Sequence, residues 1–130
     1  MSFSYTVGEG FKKTLTDGKP IYRFSINGTV DLPNLTIIDS PRFNPESYSI
    51  SGVRIIPKVA GTADYRIVIK SYGSLGGTET THVDQTVSLT SKNITSITVT
   101  EGSIGANRSL QLEVQSLSGT PSEDITITII

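Results

Sequence analysis

The sequence predicts an all-β chain: a single antiparallel β-sandwich of about eight strands with jelly-roll or Ig-like Greek-key connections. Three observations predict it. Apolar residues recur with period two in short runs, and no stretch of eleven or more keeps the i, i+3, i+4, i+7 spacing of an amphipathic helix. Clusters of Gly, Pro, Asn and Ser separate the runs at regular intervals. Hydrophobic residues make up only 35% of the chain, which suits the thin core of a two-layer sheet protein better than a thick helical one.

The runs follow in order. "SFSYTV" (2–7) reads as an additional strand, with residues 1–19 an N-terminal arm or edge segment of one domain spanning 1–130. Tyr22, Phe24 and Ile26 face one way and Arg23 and Ser25 the other, ahead of an Asn27-Gly28 turn. "NLTIID" (34–39) is a second run. In "SYSISGVRII" (47–56) the inward set starts as Tyr48 and Ile50 and changes parity at Gly52 to Val53 and Ile55, the signature of a β-bulge. "DYRIVIKSY" (64–72) places Tyr65, Ile67 and Ile69 on one face. Arg66, Val68, Lys70 and Tyr72 lie on the other, so both faces are partly apolar. "THVDQTVSL" (81–89) sets Val83, Val87 and Leu89 against His82, Asp84, Thr86 and Ser88. "TSITVT" (95–100), "SLQLEVQSL" (109–117) and the closing "EDITITII" (123–130) complete the set. Ile125, Ile127 and Ile129 belong inside, with Thr126 and Thr128 outside. The backbone of that last strand then needs a partner on each side, from this chain or from a neighbouring subunit.

Composition excludes several function classes. A net charge of -1 with no basic patch argues against nucleic acid. The absence of cysteine removes disulfides, thiolate chemistry and Cys-based zinc sites. No apolar stretch approaches the roughly 20 residues of a membrane helix, and the N-terminus lacks a signal-peptide pattern. Asn27, Asn34, Asn93 and Asn107 each precede Ser or Thr by two residues. In a chain this rich in both, and without a signal peptide, loop-opening asparagines explain these formal glycosylation sequons.

Chemistry-bearing motifs are sparse. His82, the one histidine, stands two residues from Asp84 and so shares its strand face, but no third ligand completes a metal site. "YGSLGGT" (72–78) lacks the Gly-Lys-Ser/Thr of a phosphate loop. Nothing marks a nucleophile with its base or a working carboxylate pair, so the chain reads as a non-enzyme without cofactors or metals. Paired threonines such as Thr98/Thr100 are not repeated in the register that an ice-binding ladder requires.

Two surfaces remain. The loop "DSPRFNPES" (39–47) is stiffened by Pro41 and Pro45 around Arg42 and Phe43, an anchor-like pair for an interface. The similar turns "GSLGG" (73–77) and "GSIGA" (102–106) carry Leu75 and Ile104 and are expected at one end of the sandwich, near Tyr72. Together with the terminal Ile130 these residues form the expected contact set. The loop "FKKTLTDGK" (11–19) adds a local positive bias.

In its Cys-free, Thr/Ser/Gly-rich strands and hairpin tips the chain resembles accessory virion proteins of tailed bacteriophages, the capsid-decoration, neck and tail-surface β-sandwiches. That resemblance implies a structural protein folded in the host cytoplasm and then carried on the virion. It would dock in many copies on other virion proteins or on copies of itself, through the 39–47 loop and one sheet edge. The other class consistent with size and architecture is a carbohydrate-binding module or lectin-like adhesion domain for a host-surface glycan. Tyr5, Phe11, Phe43 and Tyr72 are the aromatics left for an exposed face in that case.

Overall fold

The computed structural model describes the backbone of residues 4–14, 20–30, 36–39, 48–73, 79–105 and 108–130, and the side chains of 24–30, 49–73, 79–105 and 108–130. The described chain is all-β. Its strands are β1 (Ser4–Thr14), β2 (Pro20–Thr29), β3 (Thr36–Asp39), β4 (Tyr48–Ser49), β5 (Val53–Val59), β6 (Asp64–Tyr72), β7 (Glu79–Ser88), β8 (Thr95–Ile97), β9 (Ser103–Ile104), β10 (Ser109–Ser116) and β11 (Glu123–Ile129). One sheet runs β1-β2-β11-β5-β8 and a second β3-β10-β6-β7, with β4 and β9 as a separate pair.

The pairing decides between the two topologies that the sequence leaves open. β6 pairs β7, β5 pairs β8, β3 pairs β10 and β2 pairs β11, all antiparallel. The chain is therefore one long hairpin folded on itself, with alternate strand pairs assigned to opposite sheets. Lateral pairing of β11 with β5 and of β10 with β6 seals each sheet. That is the jelly roll.

Alternation fills the space between the sheets. Phe24, Ile26, Val53, Ile55, Ile97, Ile125, Ile127 and Ile129 come from the five-stranded sheet. Tyr65, Ile67, Ile69, Val83, Val87, Leu110, Leu112 and Val114 come from the other, and all belong to one buried cluster. Each large side chain so buried contributes about 1.5–3 kcal/mol. The last strand is central in its sheet, bonded to β2 on one side and β5 on the other, so its backbone needs no second subunit.

Three local readings are corrected. Asn27-Gly28 is not a turn, because β2 continues through both residues as a bulge. Thr29 pairs Glu123 and Ile26 pairs Ile125, leaving two β2 residues opposite Asp124. Gly28 takes φ 81° and Asp124 φ 51°, and the Gly28 amide donates to Asp124 Oδ1 at 2.7 Å. Gly supplies the left-handed conformation without strain, and Asp tolerates it better than other residues. The parity change at Gly52 is real, since Ile50 and Val53 are both buried. Its cause is a break between β4 and β5, where Ile130 exchanges backbone bonds with Gly52 instead of a bulge forming in one strand. Finally, Phe11–Thr14 belongs to β1 and not to a loop. That edge strand carries its own irregularity between Val7 and Lys12, a feature that discourages edge-to-edge pairing.

One end of the sandwich is locked by a buried polar post. Tyr65 Oη donates to the Val30 carbonyl and accepts the Ser122 amide, both at 2.8 Å. The Ser122 carbonyl accepts the Val30 amide, and its hydroxyl accepts the Gly61 amide and donates to the Leu89 carbonyl. Gly61 is required here by close approach: a Cβ would stand 2.2 Å from the Thr120 carbonyl oxygen. Tyr65→Phe is expected to lower unfolding free energy by about 1–3 kcal/mol in urea titration, because it leaves two buried backbone groups without a partner. Asp124→Ala is expected to cost about 1–3 kcal/mol, from the lost bond to Gly28 and the left-handed backbone. Asp124→Gly should recover the backbone part, and a melt equal to that of wild type for Asp124→Ala would refute this account.

Candidate functional site

The residues singled out for an interface separate into three groups. Pro41, Arg42, Phe43, Pro45 and Leu75 lie outside the described residues. Ile104 is 1% exposed, because β9 pairs with Tyr48–Ser49 and turns this side chain into the core, leaving no surface there for a partner. Tyr72 reaches the outer face of the four-stranded sheet but is 8% exposed, so it is not an open stacking platform. Ile130 is half-buried and held by its backbone, donating to the Gly52 carbonyl and accepting from Ser51 and Gly52. Among the described residues the exposed large apolar side chains are Val59, Ile94 and Leu117, none of them aromatic.

Gly73 and Gly105, one from each glycine-bearing segment, both lie beside Arg108. A Cβ built on Gly73 would lie 3.9 Å from Arg108 Nη1, and one on Gly105 would lie 3.4 Å from Arg108 Cδ. Arg108 donates from Nε to Ser71 Oγ at 3.0 Å and from Nη2 to the Ser71 carbonyl at 2.7 Å.

His82 joins this network, and its placement corrects the sequence reading. The β6–β7 register slips between Ile69 and Lys70, making His82 an extra residue opposite neither. The bulge rotates it inward to 0% exposure, while Asp84 stays on the solvent face. The His82 Nδ1–H donates to the Glu101 carbonyl at 2.6 Å, since a carbonyl can only accept. Nε2 lies 2.7 Å from Ser71 Oγ. A hydroxyl beside an oriented imidazole has the outline of a nucleophile and its base. Here both groups are fully buried and Arg108 occupies the serine oxygen, so the trio is a strut. The His82 carbonyl accepts Thr100 N at 2.9 Å, which binds the 98–101 segment to the edge of β7. Among the described residues no three His, Cys, Asp or Glu side chains converge as a metal site would require.

A different arrangement covers the outer face of β3-β10-β6-β7. Strand alternation puts Arg66, Val68, Lys70 and Tyr72 of β6 there, beside Gln115, Glu113, Gln111 and Ser109 of β10 in register. Arg66 grips Asp84 with two bonds of 3.0 and 2.8 Å. Lys70 Nζ stands 3.4 Å from Glu79 and 3.5 Å from Glu113 Oε1, and Gln111 Nε2 donates to the same oxygen at 3.3 Å. Val68, 2% exposed, lies in the middle, between Arg66 and Lys70 along the strand and Asp84 and Glu113 across it.

Glu113 is the buried carboxylate on this face. Its side chain is 7% exposed, its Oε1 takes both long contacts, and its Oε2 has no partner among the described residues. A buried carboxylate oxygen without a donor is costly, and native structures keep such groups where water or a ligand completes them. In the sequence Glu113 is an ordinary outward residue of an alternating strand. The partly apolar outer set Arg66, Val68, Lys70 and Tyr72 was the one visible sign that this face is unusual.

The Arg66–Asp84 pair is solvent-facing, with side-chain exposures of 44% and 47%. The hydrogen bond from Arg66 holds the Asp84 carboxyl below its ordinary range. Its stabilising contribution is therefore present above the unfolded carboxylate value near 3.9 and disappears as pH falls through the lower folded value. Comparing melting temperatures of wild type and Asp84→Asn should give a small difference at pH 5–7 that vanishes at the acid end. A gap that widens on acidification would contradict it.

No protein family and no curated protein matches the chain. Among solved structures it is similar to the CBM22-1–GH10 modules of xylanase 10B from Clostridium thermocellum, complexed with xylohexaose. Identity there is 15% over 99% of this chain and 25% of that one, with TM-score 0.41. It is also similar to PirA, at 12% identity over 85% and 93% of the two chains with TM-score 0.46. The CBM22-1 xylan-binding domain of Xyn10C from Paenibacillus barcinonensis matches at 14% identity over 99% and 81%, with TM-score 0.40. The chain thus spans a quarter of the length of the xylanase structure.

Proposed function

We propose that this protein is a non-catalytic carbohydrate-binding module that holds a glycan against the outer face of β3-β10-β6-β7. The observation that carries the reading is Glu113 Oε2, nearly buried and without a donor among the described residues. Its neighbours narrow the missing group. Lys70 already stands 3.5 Å from Oε1, and what Oε2 lacks is a hydrogen-bond donor. Lys70 Nζ and Gln111 Nε2 sit at 3.3–3.5 Å from their acceptors, at the weak end of the hydrogen-bond range. They have capacity for a better acceptor. A hydroxyl both donates and accepts, so adjacent hydroxyls satisfy Glu113 Oε2 and Lys70 together. A surface whose polar groups are already held by one another is also pre-organised, which lowers the entropic cost of binding.

The reading as an accessory virion protein has lost one of its supports. A terminal strand in need of an edge partner suggested a neighbouring subunit, and β11 is paired on both sides within one chain.

Glycan-array screening followed by titration calorimetry tests the proposal. Glu113→Ala is expected to weaken binding about 10- to 100-fold, since a hydrogen bond to a charged group is worth roughly 1.5–3 kcal/mol and each 1.4 kcal/mol is tenfold. Circular dichroism and melting temperature check that the variant stays folded. No saturable glycan binding by wild type, or equal binding by folded Glu113→Ala, would remove this function.

A further inference from the structure

The charge arrangement on the same face points to a class of glycan, an inference that rests on the carbohydrate-binding reading above. We infer that the ligand is an electrically neutral polysaccharide, and that uronate-bearing and sulfated chains are turned away.

Both cations of the described face are already committed. Arg66 spends its fork on Asp84, and Lys70 lies between Glu79 and Glu113. Two cations against three carboxylates leave this cluster at -1. An incoming carboxylate or sulfate would have to displace Asp84 from a bidentate contact, the geometry that Arg binds best. It would also approach Glu113, whose burial leaves its charge poorly screened by salt. Sugar hydroxyls meet neither obstacle. The excess negative charge therefore acts as the exclusion that specificity requires, beside the attraction that Glu113 and Lys70 supply.

The polar positions also run across the strands. Thr81, Lys70 and Gln111 are successive register partners on β7, β6 and β10, at the interstrand step of about 4.8 Å. A row of this kind offers one polar position per strand to an extended chain of sugars laid across the sheet, so the fit is to a polymer and not to a single sugar.

Affinity electrophoresis of the whole chain against two polysaccharide sets tests this. One set contains neutral hexose and pentose polymers; the other contains polygalacturonate and a sulfated galactan. Titrations of every polymer that retards the protein are then run at 50 and 300 mM NaCl. Expected is retardation by at least one neutral polymer, with a dissociation constant that changes less than about twofold between the salts, and at least about tenfold weaker binding of both polyanions. Glu113→Gln should narrow that gap by admitting the polyanions. Polyanion binding equal to or tighter than neutral binding, falling steeply with salt, would overturn the charge inference while leaving a glycan-binding protein. Absence of binding to either set would overturn the carbohydrate reading and this inference with it.

Discussion

The fold depends on the two-sided pairing of β11. This strand closes the long hairpin against β2, almost a chain length away, and in the same step joins that pair to β5 and β8. Without it the five-stranded sheet falls into two unconnected ribbons, and isolated ribbons of that kind are marginal in water. Its side chains serve the same closure. Ile125, Ile127 and Ile129 are essentially inaccessible, and each rests in the core that the opposite sheet completes. The bulge at Asn27 and Gly28 lets β2 follow the sheet past the Asp124 turn of the backbone, so a local irregularity keeps the long-range register.

With the centre sealed, the remaining difficulty is buried polarity at the ends and along one side. The molecule resolves it twice with complete networks. Ser122 has its amide, carbonyl and hydroxyl all engaged, through Tyr65, Val30, Gly61 and Leu89. At the other end Arg108, Ser71 and His82 are bonded in series, and the His82 carbonyl caps the segment after β8. Fully satisfied networks of this kind rigidify a fold and specify its arrangement. Against that background the incomplete bonding of Glu113 stands apart. Ser71, His82 and Ser122 are satisfied within the fold, while Glu113 sits on a sheet face among other polar side chains and keeps one oxygen without a donor among the described residues.

His82 shows how a sequence motif changes meaning in three dimensions. Spaced two residues from Asp84, it belongs with that carboxylate on an outer strand face. One inserted residue in β7 sends it to the interior, where it meets a serine 11 positions earlier and a carbonyl 19 positions later. Period-two reasoning holds only while the ladder is regular, and nothing in "THVDQ" announces the slip. Glu113 was illegible for a different reason. Its environment comes from Lys70 on a neighbouring strand, 43 residues away, and no local pattern encodes which outward residue will be left short of a donor.

What the sequence determined by itself was set by local physics. Alternating β-branched and aromatic residues, broken by turn formers, specify strands, and their parity specifies the inward faces. The bounds of β6 and the burial of Phe24, Ile67, Leu112 and Ile127 follow from that pattern alone. Tertiary structure alone decided the strand order, the central place of β11, the inward turn of His82 and Ile104 and the grouping of charges around Val68. These all depend on pairings between residues far apart in the chain. Many registers satisfy the same alternation, and only the simultaneous burial of both sheets and the closing of every backbone ladder selects one of them.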